Sequence, residues 1–395
     1  MAETSLGRMT RKSPVGAFES FGNSRFISIG GWINAIIPIL IVPYYSVIGG
    51  WVIKYLIEYF AGHSKTLAGD AYFTTFISNG WSTEICFIIF TLFTLGIIYA
   101  GVRNGIERVS KFMMPILIVL SLIIAVYSVT RPGAIEGVKY FLVPNFDHFS
   151  WMTVVSAMGQ MFYSLSIAMG ILITFGSYMK KDTSIEKSTE NVEIFDTAIA
   201  IMAGLMIIPA VFAFSGGNAE TLKSGPALMF ITIPKVFANM GFGTAIGVVF
   251  FLLVLFAAVT SSIALTESAV STFEDELHWS RKKSTVFMGM VMLLLGTLSC
   301  LGYGPLANFK ILGMQFLDFF DFITNSVMMP IAAIATCLLV SKVVGVDKIE
   351  EEIKKDGQVF RRKKIFCFMI KYLCPLFAAI ILISSVANAF GIITM

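Results

Sequence analysis

Long apolar stretches separated by short charged ones set the pattern of this chain. Runs free of Asp, Glu, Lys and Arg occupy 26–53, 85–102, 112–130, 149–179, 197–218, 236–266, 284–309, 322–341 and 372–395. A helix needs about 20 apolar residues to cross a hydrocarbon core of roughly 30 Å, so the pattern predicts nine spanning helices. Strands of a membrane barrel would give runs of about ten residues alternating every second position, and no such alternation is present. The segment 1–24 is polar and has no apolar core of the kind that marks a signal peptide, and 342–364 reads as a charged, solvated helical connector ended by Asp356-Gly357.

Charge orients the spans. Twenty-two of the 29 Lys and Arg residues fall on one set of alternate loops and seven on the other. Basic loops stay on the cytoplasmic side, which predicts a cytoplasmic N-terminus and an external C-terminus. The chain has 395 residues, 56% hydrophobic and only 14% charged. Soluble domains carry about a quarter charged residues, so a water-soluble enzyme is excluded, and 36 Phe exclude a disordered chain. A net charge of +4 gives no reason to expect a nucleic-acid partner. The five Cys show no paired or metal-ligand spacing. No zinc motif, phosphate-binding loop or nucleophile elbow is present, so neither an enzyme nor a cofactor is expected.

Two runs, 149–179 and 236–266, are 31 residues each, longer than a straight span requires. The first places Gln160, Ser164 and Ser166 between Gly159 and Gly170. Two readings fit. Such a run is either a tilted helix packed through small residues or a discontinuous helix whose free ends and carbonyls hold ions and substrate. The second run carries Ala257, Thr260 and Ser261. Their oxygens suit a hard cation, although Ser and Thr in membrane helices also bond back to their own backbone. Asp196, Glu267, Asp318 and Asp321 lie in or at the edges of spans. Intramembrane acids are costly, at least about 2.5 kcal/mol at mid-depth, and four of them on three helices fit an ion pathway.

The residues Gly159, Gln160, Phe162, Tyr163, Ser164, Leu165, Ser166, Met169 and Gly170, followed by Gly176-Ser177-Tyr178, resemble the broken sixth helix of the neurotransmitter:sodium symporters, in their bacterial amino-acid-transporter branch. Glu3, Leu6-Gly7-Arg8, Pro43-Tyr44-Tyr45-Ser46, Gly50-Trp51, Pro132-Gly133-Ala134, Pro209-Ala210, Gly225-Pro226, Thr260-Ser261-Ser262 and Glu274-Asp275-Glu276 agree in order, so the resemblance runs the whole length. It implies an all-α polytopic protein with a LeuT-like inverted-repeat fold, as one transmembrane domain over 1–395. In that frame 1–25 is the cytoplasmic end of helix two and an inner loop, and 26–130 is helices three to five. An outer loop occupies 131–150, helices six to ten 151–341, a cytoplasmic loop 342–364 and helix eleven 365–395. Helix one and most of helix two would be absent.

By resemblance, Ser164 and Asp196 match one sodium site, and Ala257, Thr260 and Ser261 match another. Ile41, Tyr45, Tyr163, Ser164, Ser166, Met169 and Leu265 would contact an amino-acid-like substrate, and Gln160 and Asp321 match an outer gate. The implied activity is sodium-dependent amino-acid symport by alternating access in a bacterial inner membrane. A fixed carboxylate at Asp196 makes chloride independence a physical expectation. The alternative expectation is a truncated, non-transporting member of the same family, because the first broken helix would be missing. The sequence sets no oligomeric state.

Overall fold

The computed structural model describes residues 1–22, 24–218, 221, 222 and 225–391, and the side chains of all of these except His148 and Asp356. Lys223 and the predicted tail of the last span at 392–395 lie outside the described residues. Fifteen helical segments carry the fold. Ala2–Thr10 is α1 and Pro14–Glu19 is α2. The long helices α3, α4 and α5 are Arg25–Phe60, Gly80–Tyr99 and Val102–Val129. Ala134–Leu142 is α6, and Trp151–Ser164 and Ile171–Tyr178 are α7 and α8. Then come α9, Ile185–Ser215, the short α10, Gly225–Ala238, and α11, Gly243–Leu277. The last four are α12, Arg281–Leu301, α13, Phe316–Val344, α14, Val346–Ile353, and α15, Lys363–Ala389.

Among the described residues, eight of these helices (α3, α4, α5, α9, α11, α12, α13 and α15) are long and apolar enough to cross a membrane. The ninth predicted span is the pair α7 and α8, divided at 165–170. Helices dominate because a chain in hydrocarbon must satisfy every backbone N–H and C=O within itself. The sheet content of the described residues is a single isolated bridge, Ile311 with Met314. Large apolar side chains left exposed on α5 and α15, among them Phe112, Leu122, Val126, Phe368, Leu376 and Ile383, form the lipid-facing surface.

Helix α3 runs through the centre of the molecule, packing along α11, α4 and α12. Its start is capped by the Ser24 hydroxyl, which accepts from the Ile27 N–H. Pro38 and Pro43 sit inside it without ending it, which a membrane helix tolerates when neighbours satisfy the freed carbonyls. The segment α1 packs along α8 with almost no gap. A Cβ added to Gly7 would lie 2.0 Å from the Ile173 carbonyl oxygen, and one added to Gly176 would lie 2.5 Å from that of Thr4.

Several boundaries differ from those the charge-free runs predict. The run 85–102 stops at Tyr99, because Gly101 at φ 90° turns the chain and Val102 opens the next helix. The run 236–266 is not one helix: α10 ends at Ala238, and α11 begins at Gly243 and continues to Leu277. Asp196, expected at a helix edge, is internal, since α9 starts at Ile185 behind a Ser184 cap on the Lys187 N–H. Charged residues mark the membrane border, and a helix runs past that border whenever a cap lies beyond it. The 342–364 connector is helical as expected but not simply solvated. Ile349 and Ile353 of α14 are fully buried, and Glu352 forms a buried ion pair with Arg8 at 2.7 Å.

Candidate functional site

The site is built on the break between α7 and α8. Helix α7 ends with Leu165 and Ser166 donating to the Met161 and Tyr163 carbonyls, and Ile167 N–H reaches back to the Phe162 carbonyl. The chain then passes through three left-handed residues, Ser166 at φ 54°, Ala168 at φ 60° and Gly170 at φ 69°. Only glycine takes that conformation without strain, and at Gly170 space demands it as well. A Cβ there would lie 2.7 Å from Pro14 Cγ and 2.8 Å from the Asn34 carbonyl oxygen. Ser166 and Ala168 are strained, at a cost of about 1–3 kcal/mol each.

One side chain holds the strained segment in place. The Glu3 carboxylate of α1 accepts from the Ala168 N–H at 2.9 Å, while its second oxygen has no partner and the residue is almost fully buried. Sequence reasoning used Glu3 only as part of a recognised motif. An acid inside a segment that must pack on an apolar helix was the available signal.

On the other side of the break the Ser164 hydroxyl donates to Asp196 of α9 at 2.6 Å. Ser164, the last residue of α7, is exposed, and Asp196 is half-buried. Ser261 of α11 is likewise exposed, and Tyr45 of α3 lies within side-chain hydrogen-bonding reach of it. Thr260 donates to the Phe256 and Ala257 carbonyls, each at 3.0 Å. Its proton is therefore spent within its own helix, as the sequence allowed, yet its remaining lone pairs stay free for a cation. Ile41, Met169 and Leu265 are buried and apolar, and Tyr163 is half-buried. Hydroxyl, carboxylate and carbonyl oxygens are the donors that small hard cations prefer.

A second polar cluster gathers around Asp321. Asp321 accepts from the Tyr44 hydroxyl at 3.1 Å and from the Asn325 amide at 2.6 Å. Gln160 is exposed and makes no hydrogen bond to Asp321 among the described residues. Asn325 lies within a π-helical stretch, 322–328, where the widened turn brings it back toward Tyr44. Neither Tyr44 nor Asn325 was singled out from sequence as a gate residue.

The four acids do not form one pathway. Glu267 is fully buried, accepting from Tyr178 at 2.7 Å and paired with Arg281 at 2.5 Å, with Glu274 3.5 Å from the same guanidinium. Asp318 accepts from the Tyr303 hydroxyl at 3.1 Å. Of the four, Asp196 alone bonds a residue of the break. No group of three or more His, Cys, Asp and Glu suited to a metal ion occurs among the described residues, and the five cysteines are free thiols.

A bundle of spanning helices with one discontinuous member, and polar oxygens gathered at the discontinuity, defines a polytopic secondary transporter. The comparisons place it more narrowly. The pattern of the sodium:neurotransmitter symporter family matches residues 73–392. The sodium-dependent transporter YhdH of Bacillus subtilis is 31% identical over 397 residues, spanning 100% of this chain and 86% of its own length. A sodium-dependent transporter of Methanocaldococcus jannaschii is 28% identical, covering 90% of this chain and 74% of its own. The crystal structure of MhsT in complex with L-phenylalanine superposes with a TM-score of 0.85 at 32% identity, covering 97% of this chain and 87% of that one. This chain belongs to the sodium:neurotransmitter symporter family. It is a multi-pass membrane protein with the LeuT-like fold, and its family is one of sodium-dependent secondary transporters, not of enzymes.

Proposed function

We propose that this protein couples inward sodium movement to uptake of an amino acid with an apolar side chain, without chloride, across a bacterial inner membrane. The observation that carries the reading is the Ser164–Asp196 hydrogen bond at the break between α7 and α8. It joins a hydroxyl at the end of α7 to a fixed carboxylate on another helix. One sodium ion would be held by Ser164 and Asp196, a second by Ala257, Thr260 and Ser261. A carboxylate already in place supplies the negative charge that a chloride ion would otherwise bring.

The side-chain class rests on Ile41, Met169 and Leu265, buried apolar groups close to Tyr45 and Tyr163, and on the phenylalanine held by MhsT, a protein of the same fold. Ser166 would face the same pocket. Gln160 and Asp321 would border the outer approach, with Tyr44 and Asn325 setting the position of Asp321. Alternating access follows if sodium and substrate bind one arrangement of the helices more tightly than the other, since a ligand shifts an equilibrium only through differential affinity. The basic-residue asymmetry supports a cytoplasmic N-terminus and an external C-terminus.

The test is uptake by the purified chain in proteoliposomes, with a panel of amino acids and a sodium or potassium gradient. Sodium-driven accumulation of leucine- or phenylalanine-like substrates, unchanged when gluconate replaces chloride, is the expected result. Equal uptake on potassium, or a strict need for chloride, would overturn the reading.

A further inference from the structure

A second site lies far from the break. An apolar groove of about 230 Å³ runs along the outside of the molecule between the start of α3 and the end of α13. Phe18 of α2 and Ile27 of α3 form one wall. The other wall is one face of α13: Ala335, Leu338, Leu339, Lys342 and Val343 recur at the three- and four-residue spacing of a single helix face. Gly30 lets the floor close, since an added Cβ there would lie 3.0 Å from the Phe18 ring and 3.1 Å from Ala335 Cβ. At the mouth, Phe26 is 63% and Val343 43% exposed.

The groove is apolar along its length and cationic at one end. Lys342 stands one turn beyond Leu338 on the lining face, at the end of α13 that leads into the charged connector. Arg25 opens α3 beside Phe26 and Ile27. Both side chains are exposed, and neither has an acidic partner among the described residues. Of the connector's other cations, Lys354, Lys355, Arg362 and Lys363 are each in an ion pair, while Lys348, Arg361 and Lys364 are in none among the described residues. Glu19, the acid nearest Arg25 in sequence, accepts from Ser28, and Asp347, the acid nearest Lys342, forms no ion pair with it among the described residues. An apolar slot with exposed Phe26 and Val343 at its mouth, and two cations without acidic partners at one end, has the charge and polarity of one kind of occupant.

We propose that this groove binds an anionic phospholipid of the inner leaflet, an acyl chain lying along Ile27, Leu338 and Leu339 and the phosphate meeting Lys342 and Arg25. The cytoplasmic placement of Lys342 rests on the orientation proposed above. A surface cation near an anionic leaflet strengthens binding by about fivefold.

The experiment is native mass spectrometry of the full chain in neutral detergent, with phosphatidylglycerol or phosphatidylcholine as the added lipid. Phosphatidylglycerol should be retained several-fold more than phosphatidylcholine. Lys342→Gln, at an exposed position, should lower that retention about fivefold, and Val343→Trp, which fills the mouth, should abolish it. Arg103→Gln, in the first turn of α5, should leave retention unchanged. Equal retention of the two lipids, or wild-type retention by Lys342→Gln, would overturn the site. So would a dimer that Val343→Trp turns into a monomer, which would make a second copy the occupant. Labelling of a Lys342→Cys variant from outside intact cells would overturn the orientation alone, and loss of sodium-driven uptake would overturn the transport reading alone. Retention in detergent depends on neither.

Discussion

Ala168 is held at φ 60° with its N–H given to Glu3. That pairing explains how a strained, non-glycine residue persists in the middle of a membrane helix. Removing the acceptor leaves a buried N–H unsatisfied, which costs about 1–3 kcal/mol. Glu3→Ala is therefore expected to lower the unfolding temperature in detergent. Glu3→Gln keeps an acceptor oxygen at the same place and should recover most of the loss, and equal behaviour of the two variants would remove this role. Asp196 belongs to the same scale. Asp196→Asn keeps the volume and an acceptor for Ser164 but deletes the charge, so substrate binding should lose its sodium dependence while the fold survives. A sodium titration of ligand binding checks it, and an unchanged titration would move the sodium site elsewhere. The sequence named Asp196, Ser164, Ser261 and Tyr45. It quoted Tyr44 only within a family motif and left Asn325 unnamed, because a π-helical turn changes which residues of one helix face the same neighbour.

At the scale of elements, the two acid contacts of Arg281 differ in kind. Arg281 at the start of α12 faces two acids of α11 and keeps them apart by burial. Its bond to Glu267 is short and Glu267 is wholly buried, whereas Glu274 is 3.5 Å away and partly exposed. Removing one partner of a buried pair costs about 3–5 kcal/mol, and losing a partly exposed, long contact costs about 0–1 kcal/mol. Glu267→Ala should thus destabilise the protein strongly and Glu274→Ala hardly at all, measured by thermal unfolding of both variants. A reversed order would mean that the Tyr178–Glu267–Arg281 chain is not what joins α8, α11 and α12. Read from sequence, Glu267 was one of four acids on an ion path. Its true partners lie on α8 and α12, and nothing local to residue 267 announces them.

At the scale of the whole molecule, the connector between α13 and α15 is strapped across the end of the bundle opposite the Tyr44–Asp321–Asn325 cluster. Arg8 of α1 is the centre of the strap. It pairs with the Glu352 carboxylate at 2.7 Å, donates to the Glu352 carbonyl, and donates to the Thr183 carbonyl at 2.6 Å. Farther along, the Arg361 and Arg362 N–H groups both donate to Glu186 at the start of α9. The strap therefore links α1, the loop after α8 and the first turn of α9, all attached to the broken helix. Arg8→Ala leaves the buried Glu352 only the partly exposed Lys355 as a partner, a loss of up to about 3–5 kcal/mol. The expected outcome is faster tryptic cleavage after Lys354 and Lys355, with α14 released while the spanning helices remain folded. An unchanged cleavage rate would show that the buried apolar face of α14 suffices to dock it.

The sequence by itself determined how many times the chain spans the membrane, which loops carry the basic residues, and that one long run is polar at mid-depth. These are sums over local composition, and the bilayer makes composition decisive: hydrocarbon accepts closed backbone hydrogen bonding and little else. The family motifs added the positions of the oxygen-bearing residues. The family motif pointed to a break in the 149–179 run, and tertiary structure decided where it falls and that 243–277 stays continuous. The difference is what meets each segment. Glu3, Pro14 and Asn34 close around 168–170 from outside it, and α11 continues unbroken with its hydroxyls bonded back to its own carbonyls. Tertiary structure also made a buried ion pair of Arg8 and Glu352, 344 positions apart, where local charge read only a solvated loop. Pairings of that range are set by how helices dock, and the period of a single helix carries no trace of them.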